Sequence, residues 1–174
     1  MSVPIRKIAF AAIIGAAYAA LTIFMAPISF GLLQLRLTEA LCILPFFFPY
    51  STWGLFIGCL IANLLSPFGI LDIIFGSVAT LLACICTMLI GKYGKGHIGT
   101  KILACVPPVI INGVIIGALI SYTSTPALFA QMMLAFGLQI AAEEFAVLFA
   151  LGLPLLILLP KAPFFKRLQM LYSK

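Results

Sequence analysis

From Ile8 to Leu35 this chain carries no charged residue, nor from Ala40 to Leu71, nor from Ile102 to Ala142. Apolar runs of about 18 or more residues are long enough to cross the hydrocarbon core of a bilayer as helices. The runs do not alternate apolar and polar residues, which argues against a β-barrel. Only 8% of residues are charged and 64% are hydrophobic, whereas soluble domains are roughly 25% charged. The expectation is an all-α membrane protein, one integral domain over residues 1–174, with room for about six spans.

Six helices fit the pattern. The first runs from Ile8 to Met25 and stops before Pro27. After the loop Pro27–Leu37 come a second helix, Thr38–Phe48, broken by Pro45, and a third, Trp53–Leu65. Both are short for a bilayer of about 30 Å. The fourth is Ile70–Ile90 and the fifth Ile102–Tyr122, with a kink at Pro107-Pro108. Ser121–Pro126 reads as a turn. Ala127–Leu159 is too long for one span, so it divides into a lying or re-entrant piece, Ala127–Phe136, and a sixth span, Leu138–Leu159. An Ala-x-Ala sequence at Ala17–Ala19 resembles a signal cleavage site, but the apolar run continues past it, and an uncleaved first helix is expected.

The charges are sorted by sign. Bases cluster at Arg6 and Lys7, at Lys92, Lys95 and Lys101, and at Lys161, Lys166, Arg167 and Lys174. Such clusters flank the cytoplasmic ends of spans, so both termini and the Gly91–Thr100 loop are expected inside a cell membrane crossed several times. The net charge of +6 suits anionic lipid headgroups rather than nucleic acid, because no basic patch is interleaved with exposed aromatics.

That topology gathers Gln34, Arg36, Glu39, Asn63, Asp72, Glu143 and Glu144 toward the external side, with Asn112 midway along the fifth helix. An ionisable group at the bilayer centre costs about 2.5–3.5 kcal/mol on insertion scales, and so reads as functional. One base among four acids favours a cationic or N–H-rich ligand. Plainer roles exist for some of them. Glu39 and Asp72 suit the positive ends of helix dipoles, Arg36 and Glu39 are spaced to pair, and Asn112 suits an interhelical hydrogen bond. Gln139 and Glu143 share a helix face, while Glu144 points about 100° away; Glu143 is the favoured cavity residue.

Small residues recur every four positions in the first helix, as Ala11, Gly15 and Ala19 and as Ala12, Ala16 and Ala20. Such stripes allow a close helix–helix approach, whether to an internal neighbour or to another protein. The five cysteines lie within the spans and read as small packing residues, not metal ligands. His97, the one histidine, falls in the Lys-rich loop. The sequence G-H-I-G-T-K at Gly96–Lys101 is not a phosphate-binding loop, so no cofactor is expected in this chain.

The stretch Pro27–Pro45, with its F-G-L-L-Q-L-R-L-T-E-A-L string, resembles the first loop and second helix of the queuosine-precursor transporter family, QueT. Gly54–Asn63 and Leu71–Ala83 resemble it too. Members are substrate-binding (S) components of energy-coupling factor (ECF) transporters. The resemblance implies a six-helix bundle with an outward pocket for a 7-deazaguanine base, queuine or a precursor. It further implies docking of the Ala/Gly stripe on a transmembrane T component served by two ATPases that use ATP. The residues expected to hold the base are then Glu143 or Glu144 with Asp72 for its N–H donors and Asn63 or Gln34 for its carbonyl. Phe30 or Tyr122 would stack on the ring, and an Arg36–Glu39 pair would order the lid.

Other readings compete, among them a structural or assembly membrane protein. An S component for biotin or a flavin keeps the fold, although an anionic vitamin suits an acidic cavity poorly. An intramembrane protease would need E-E-x-x-x-R at Glu143, but Leu148 stands in the Arg position.

Overall fold

In a computed structural model, residues 5–30, 35–94 and 96–172 are described. All regular structure among them is helical. Helix α1 (Ile5–Phe24) is followed by a single turn, α2 (Ala26–Ser29), started by Pro27. Then come a 3₁₀ helix, Leu37–Phe46, and α3 (Ser51–Ala62), which tightens into a last turn, Asn63–Leu65. A π turn, Asp72–Gly76, leads into α4 (Ser77–Tyr93). Helices α5 (Ile98–Ala104) and α6 (Val106–Ser124) join at a bend by Cys105, just before Pro107 and Pro108.

Four helical stretches are long and apolar enough to cross a membrane: Ile5–Phe24, Asp72–Tyr93, Ile98–Ser124 and Pro126–Lys161. Leu37–Phe46 and Ser51–Leu65 are apolar but shorter. The ten-residue segment Leu37–Phe46 gains reach by being 3₁₀, since a rise of about 2.0 Å per residue carries it about 20 Å. Its three-residue period also stacks Glu39, Cys42 and Pro45 in one row, and all three are buried.

The last stretch corrects the sequence reading. No break separates a lying piece from a span. After α7 (Phe129–Val147) come a π turn, Leu148–Gly152, then α8 (Leu153–Leu158) and a terminal 3₁₀ turn, Leu159–Lys161. Gly137, the natural place for a break, is used for packing instead. A Cβ on Gly117 of α6 would strike the Gly137 backbone, and one on Gly113 would meet Gly137 O at 3.1 Å. Glycines let the α6 and α7 backbones touch, which keeps α7 continuous. The turn between them is fastened by Ser121 Oγ, which donates to Phe129 O at 2.8 Å.

The small-residue stripe of α1 divides by face. Gly15 and Ala19 are buried and Ala11 is half-buried, whereas Ala12, Ala16 and Ala20 are exposed. The inner row packs on α3, where a Cβ on Gly54 would overlap Ala11 O and one on Gly58 would overlap Gly15 O. Gly54→Val is therefore expected to push the two helices apart at a cost above the usual 1–3 kcal/mol of overpacking. Thermal unfolding in detergent would register it as a clear fall in melting temperature.

A helix not foreseen from the sequence closes the chain. Helix α9 (Pro163–Tyr172) puts Phe165 against Phe47 and Phe48, with ring centroids 5.0 and 5.2 Å away, and stacks Tyr172 on Phe10 at 4.7 Å. Both described ends of the chain thus meet at one end of the bundle. The C-terminal end of α4 is there too, because Gly91 lies against the Phe46 backbone. The described bases of the three clusters therefore share one end, and Asp72 begins the helical stretch that leads away from it.

Candidate functional site

The buried polar residues come from six separate segments of the chain. Arg36 precedes the 3₁₀ helix with a non-helical backbone (φ −84°, ψ 86°). Its Nη2 donates to Asp72 Oδ2 at 2.9 Å, with the two side chains 8% and 1% exposed. The Phe30 ring lies under the guanidinium, 5.1 Å from Cζ to centroid, a cation–π distance. Asn63, at the end of α3, donates from Nδ2 to the Asp72 carbonyl at 3.0 Å. Gly76 leaves the space these groups need, since a Cβ there would overlap Asp72 Oδ1 and lie 2.8 Å from Asn63 Nδ2.

Glu39 does not pair with Arg36 in the way their spacing suggests. The Tyr18 hydroxyl donates to its Oε1, and Cys42 Sγ donates to its Oε2 at 3.0 Å. Below it Thr22 and Thr38 join hydroxyls at 2.8 Å, and Thr22 also donates to the Tyr18 carbonyl. Asn112, midway along α6, donates from Nδ2 to Glu144 Oε1 at 2.9 Å. Glu144 Oε2 is buried and accepts no hydrogen bond from the protein.

Arg36, Glu39, Asn112 and Glu144, with Ile116 and Ile140, line one internal cavity of about 10 Å³. That is room for roughly one water molecule, so this conformation is closed. With Arg36 paired to Asp72, Glu39 and Glu144 are the acids left facing the cavity. Two carboxyl side chains share that cavity, and a guest bearing N–H donors or positive charge favours their ionised form.

Of the residues singled out from sequence, Arg36, Glu39, Asn63, Asp72, Asn112 and Glu144 are buried together, with Phe30 against Arg36. Glu143, favoured over Glu144 on sequence grounds, does not line the cavity. Gln139 Nε2 donates to its Oε1 at 3.0 Å. Tyr122 is 63% exposed and lines an outer groove with Phe75 and Phe129. Gln34 lies outside the described residues. Sequence reasoning missed Tyr18, Cys42 and Gly76. Tyr18 carried a signal, because a hydroxyl deep in an apolar helix needs a partner. Among the described residues, no group of three or more His, Cys, Asp or Glu is placed to hold a metal ion.

The sequence profile of the QueT transporter family matches residues 8–161. This chain belongs to the QueT transporter family. Comparison with curated proteins and with solved structures gave no match. Family membership and the apolar helices make the chain a multi-pass membrane protein of a transporter family. Within this QueT chain, the match spans every residue of the cavity wall, all of α3, and α1 from Ile8 onward.

Proposed function

We propose that the protein is the substrate-binding S component of an ECF importer and captures a queuosine precursor, a 7-deazaguanine base. The observation that carries this reading is the cavity walled by Glu39, Glu144, Asn112 and Arg36. A guanine-type edge offers N–H donors, which carboxylates accept in charge-assisted bonds. Glu144 Oε2 is an acceptor with no protein donor, and Glu39 lines the same cavity as a second acid. Arg36 is the donor for the ring carbonyl, and Phe30 offers a flat face. An aminomethyl group on the base would place its cation between the two acids.

The closed cavity must widen to admit a bicyclic base. Arg36 sits on the non-helical entry to the 3₁₀ helix, a segment that shifts without breaking a long helix. The cytoplasmic side is the end where the basic clusters meet, in keeping with the positive-inside pattern. Both termini are then cytoplasmic and substrate enters from the other face. Energy comes from two partner ATPases, which use ATP.

The exposed face of α1 is the surface we assign to the T component. Ala12 and Ala16, with Trp53, Ile57 and Ile61 of α3, line an outward groove of about 550 Å³. Ala16→Phe fills it without touching the internal cavity. Substrate binding by the purified variant is expected to stay unchanged, while uptake by cells carrying the complete transporter falls about tenfold or more, as a blocked close helix contact requires.

Native mass spectrometry of the purified protein against deazaguanines, biotin and flavins tests the substrate assignment. Retention of a deazaguanine is expected. Retention of biotin or a flavin, with no deazaguanine, would overturn it.

A further inference from the structure

Helix α9 has an unusual outer surface for a segment tied to the end of a membrane bundle. Its inner side is settled, because Phe165 is 4% exposed among the Phe47 and Phe48 rings and Tyr172 stacks on Phe10. The outer side carries Phe164 at 72% exposure, Met170 at 70% and Leu171 at 57%. Lys166 and Arg167 are exposed beside them, and so is Lys161 just before the helix.

Spacing orders these groups. Phe164, Arg167 and Leu171 are three and four residues apart, so they form one row along the helix, with Lys166 and Met170 four apart on the adjoining flank. No acidic residue follows Glu144 in the sequence, and no ion pair involving these bases is found among the described residues. Water is a poor solvent for Phe164, Met170 and Leu171, and hydrocarbon is a poor solvent for Lys161, Lys166 and Arg167. The boundary between headgroups and acyl chains serves both, and anionic headgroups supply the missing counter-charge.

We infer that α9 is an interfacial anchor that binds anionic phospholipid, with Lys161, Lys166 and Arg167 on the phosphates and Phe164 and Leu171 among the upper acyl carbons. Through Phe165 and Tyr172 the bound lipid holds together the ends of α1 and the 3₁₀ helix at this face. The inference is independent of which substrate occupies the internal cavity.

The test uses the full chain in mixed micelles containing equal phosphatidylglycerol and phosphatidylcholine. Native mass spectrometry is expected to find phosphatidylglycerol retained about tenfold or more over phosphatidylcholine, since each base near an anionic surface adds to the attraction. K161Q/K166Q/R167Q is expected to lose that preference, with deazaguanine binding unchanged. Equal retention of both lipids by the wild type, or an undiminished preference in the triple variant, would overturn the inference. Should the triple variant fail to fold, the wild type answers alone. Its gain in melting temperature on adding phosphatidylglycerol vesicles must shrink as salt is raised toward about 1 M, where screening acts within about 3 Å. A gain indifferent to salt, or no gain at all, would equally overturn it.

Discussion

Arg36→Gln is expected to be among the most damaging single substitutions in this protein. It removes the cation from Asp72, whose side chain is 1% exposed and whose Oδ2 is 2.9 Å from Arg36 Nη2. Breaking a buried ion pair from one side costs about 3–5 kcal/mol, because the other charge stays buried and unpaired. For a chain of this size that corresponds to a fall of about 10 °C or more in melting temperature. Asp72→Asn should cost a comparable amount by stranding Arg36. The double variant, Arg36→Gln with Asp72→Asn, removes both charges and is expected to recover much of the loss. Thermal unfolding of the three variants in one detergent decides the point. Losses that simply add in the double variant would show that the two residues do not stabilise each other.

Glu144→Gln should instead spare the fold and damage binding. Glutamine keeps the oxygen that accepts from Asn112 Nδ2, and it removes one of two acids facing the cavity. What disappears is a charged acceptor for the ligand, and hydrogen bonds to charged groups are worth about 1.5–3 kcal/mol. Affinity is therefore expected to fall about 10- to 100-fold, with the melting temperature of the ligand-free protein held or raised. Glu143→Gln is the matched control. Glu143 is one residue away, pairs with Gln139 and lines no part of the cavity. Its affinity should stay within about threefold of the wild type, a difference well below 1 kcal/mol. The reverse ranking, with Glu143 the sensitive residue, would relocate the site to the other face of α7.

These contrasts mark how far the sequence alone could be read. Hydropathy found the long apolar stretches, because a span is a one-dimensional property of composition and length. It did not find that Phe129–Val147 runs on without a break, because length alone does not tell one long helix from two, and the meeting of the Gly117 and Gly137 backbones exists only in the fold. The convergence of Arg36, Asp72 and Asn63 was foreseeable from the cost of leaving each alone in an apolar medium. Their partners were not. Arg36 lies outside the 3₁₀ helix, so the three-residue spacing to Glu39 did not make a pair, and Tyr18 from α1 took its place. Choosing Glu144 over Glu143 turns on a rotation of about 100° about one helix axis, which packing sets and spacing cannot. The amphipathic row of α9 was legible in its residues. The bases there point to orientation and to anionic headgroups, and it is the helix that sets Phe164 and Leu171 beside them.

Glu144 and Glu39 facing a ligand rich in N–H donors has one plain consequence for binding. In equilibrium titration of the purified wild-type protein and the Glu144→Gln variant with a 7-deazaguanine base, saturable binding to the wild type is expected, with a 10- to 100-fold rise in Kd for the variant, about 1.5–3 kcal/mol of lost interaction. Equal affinity in the two proteins, or no binding of the base by the wild type, would contradict it.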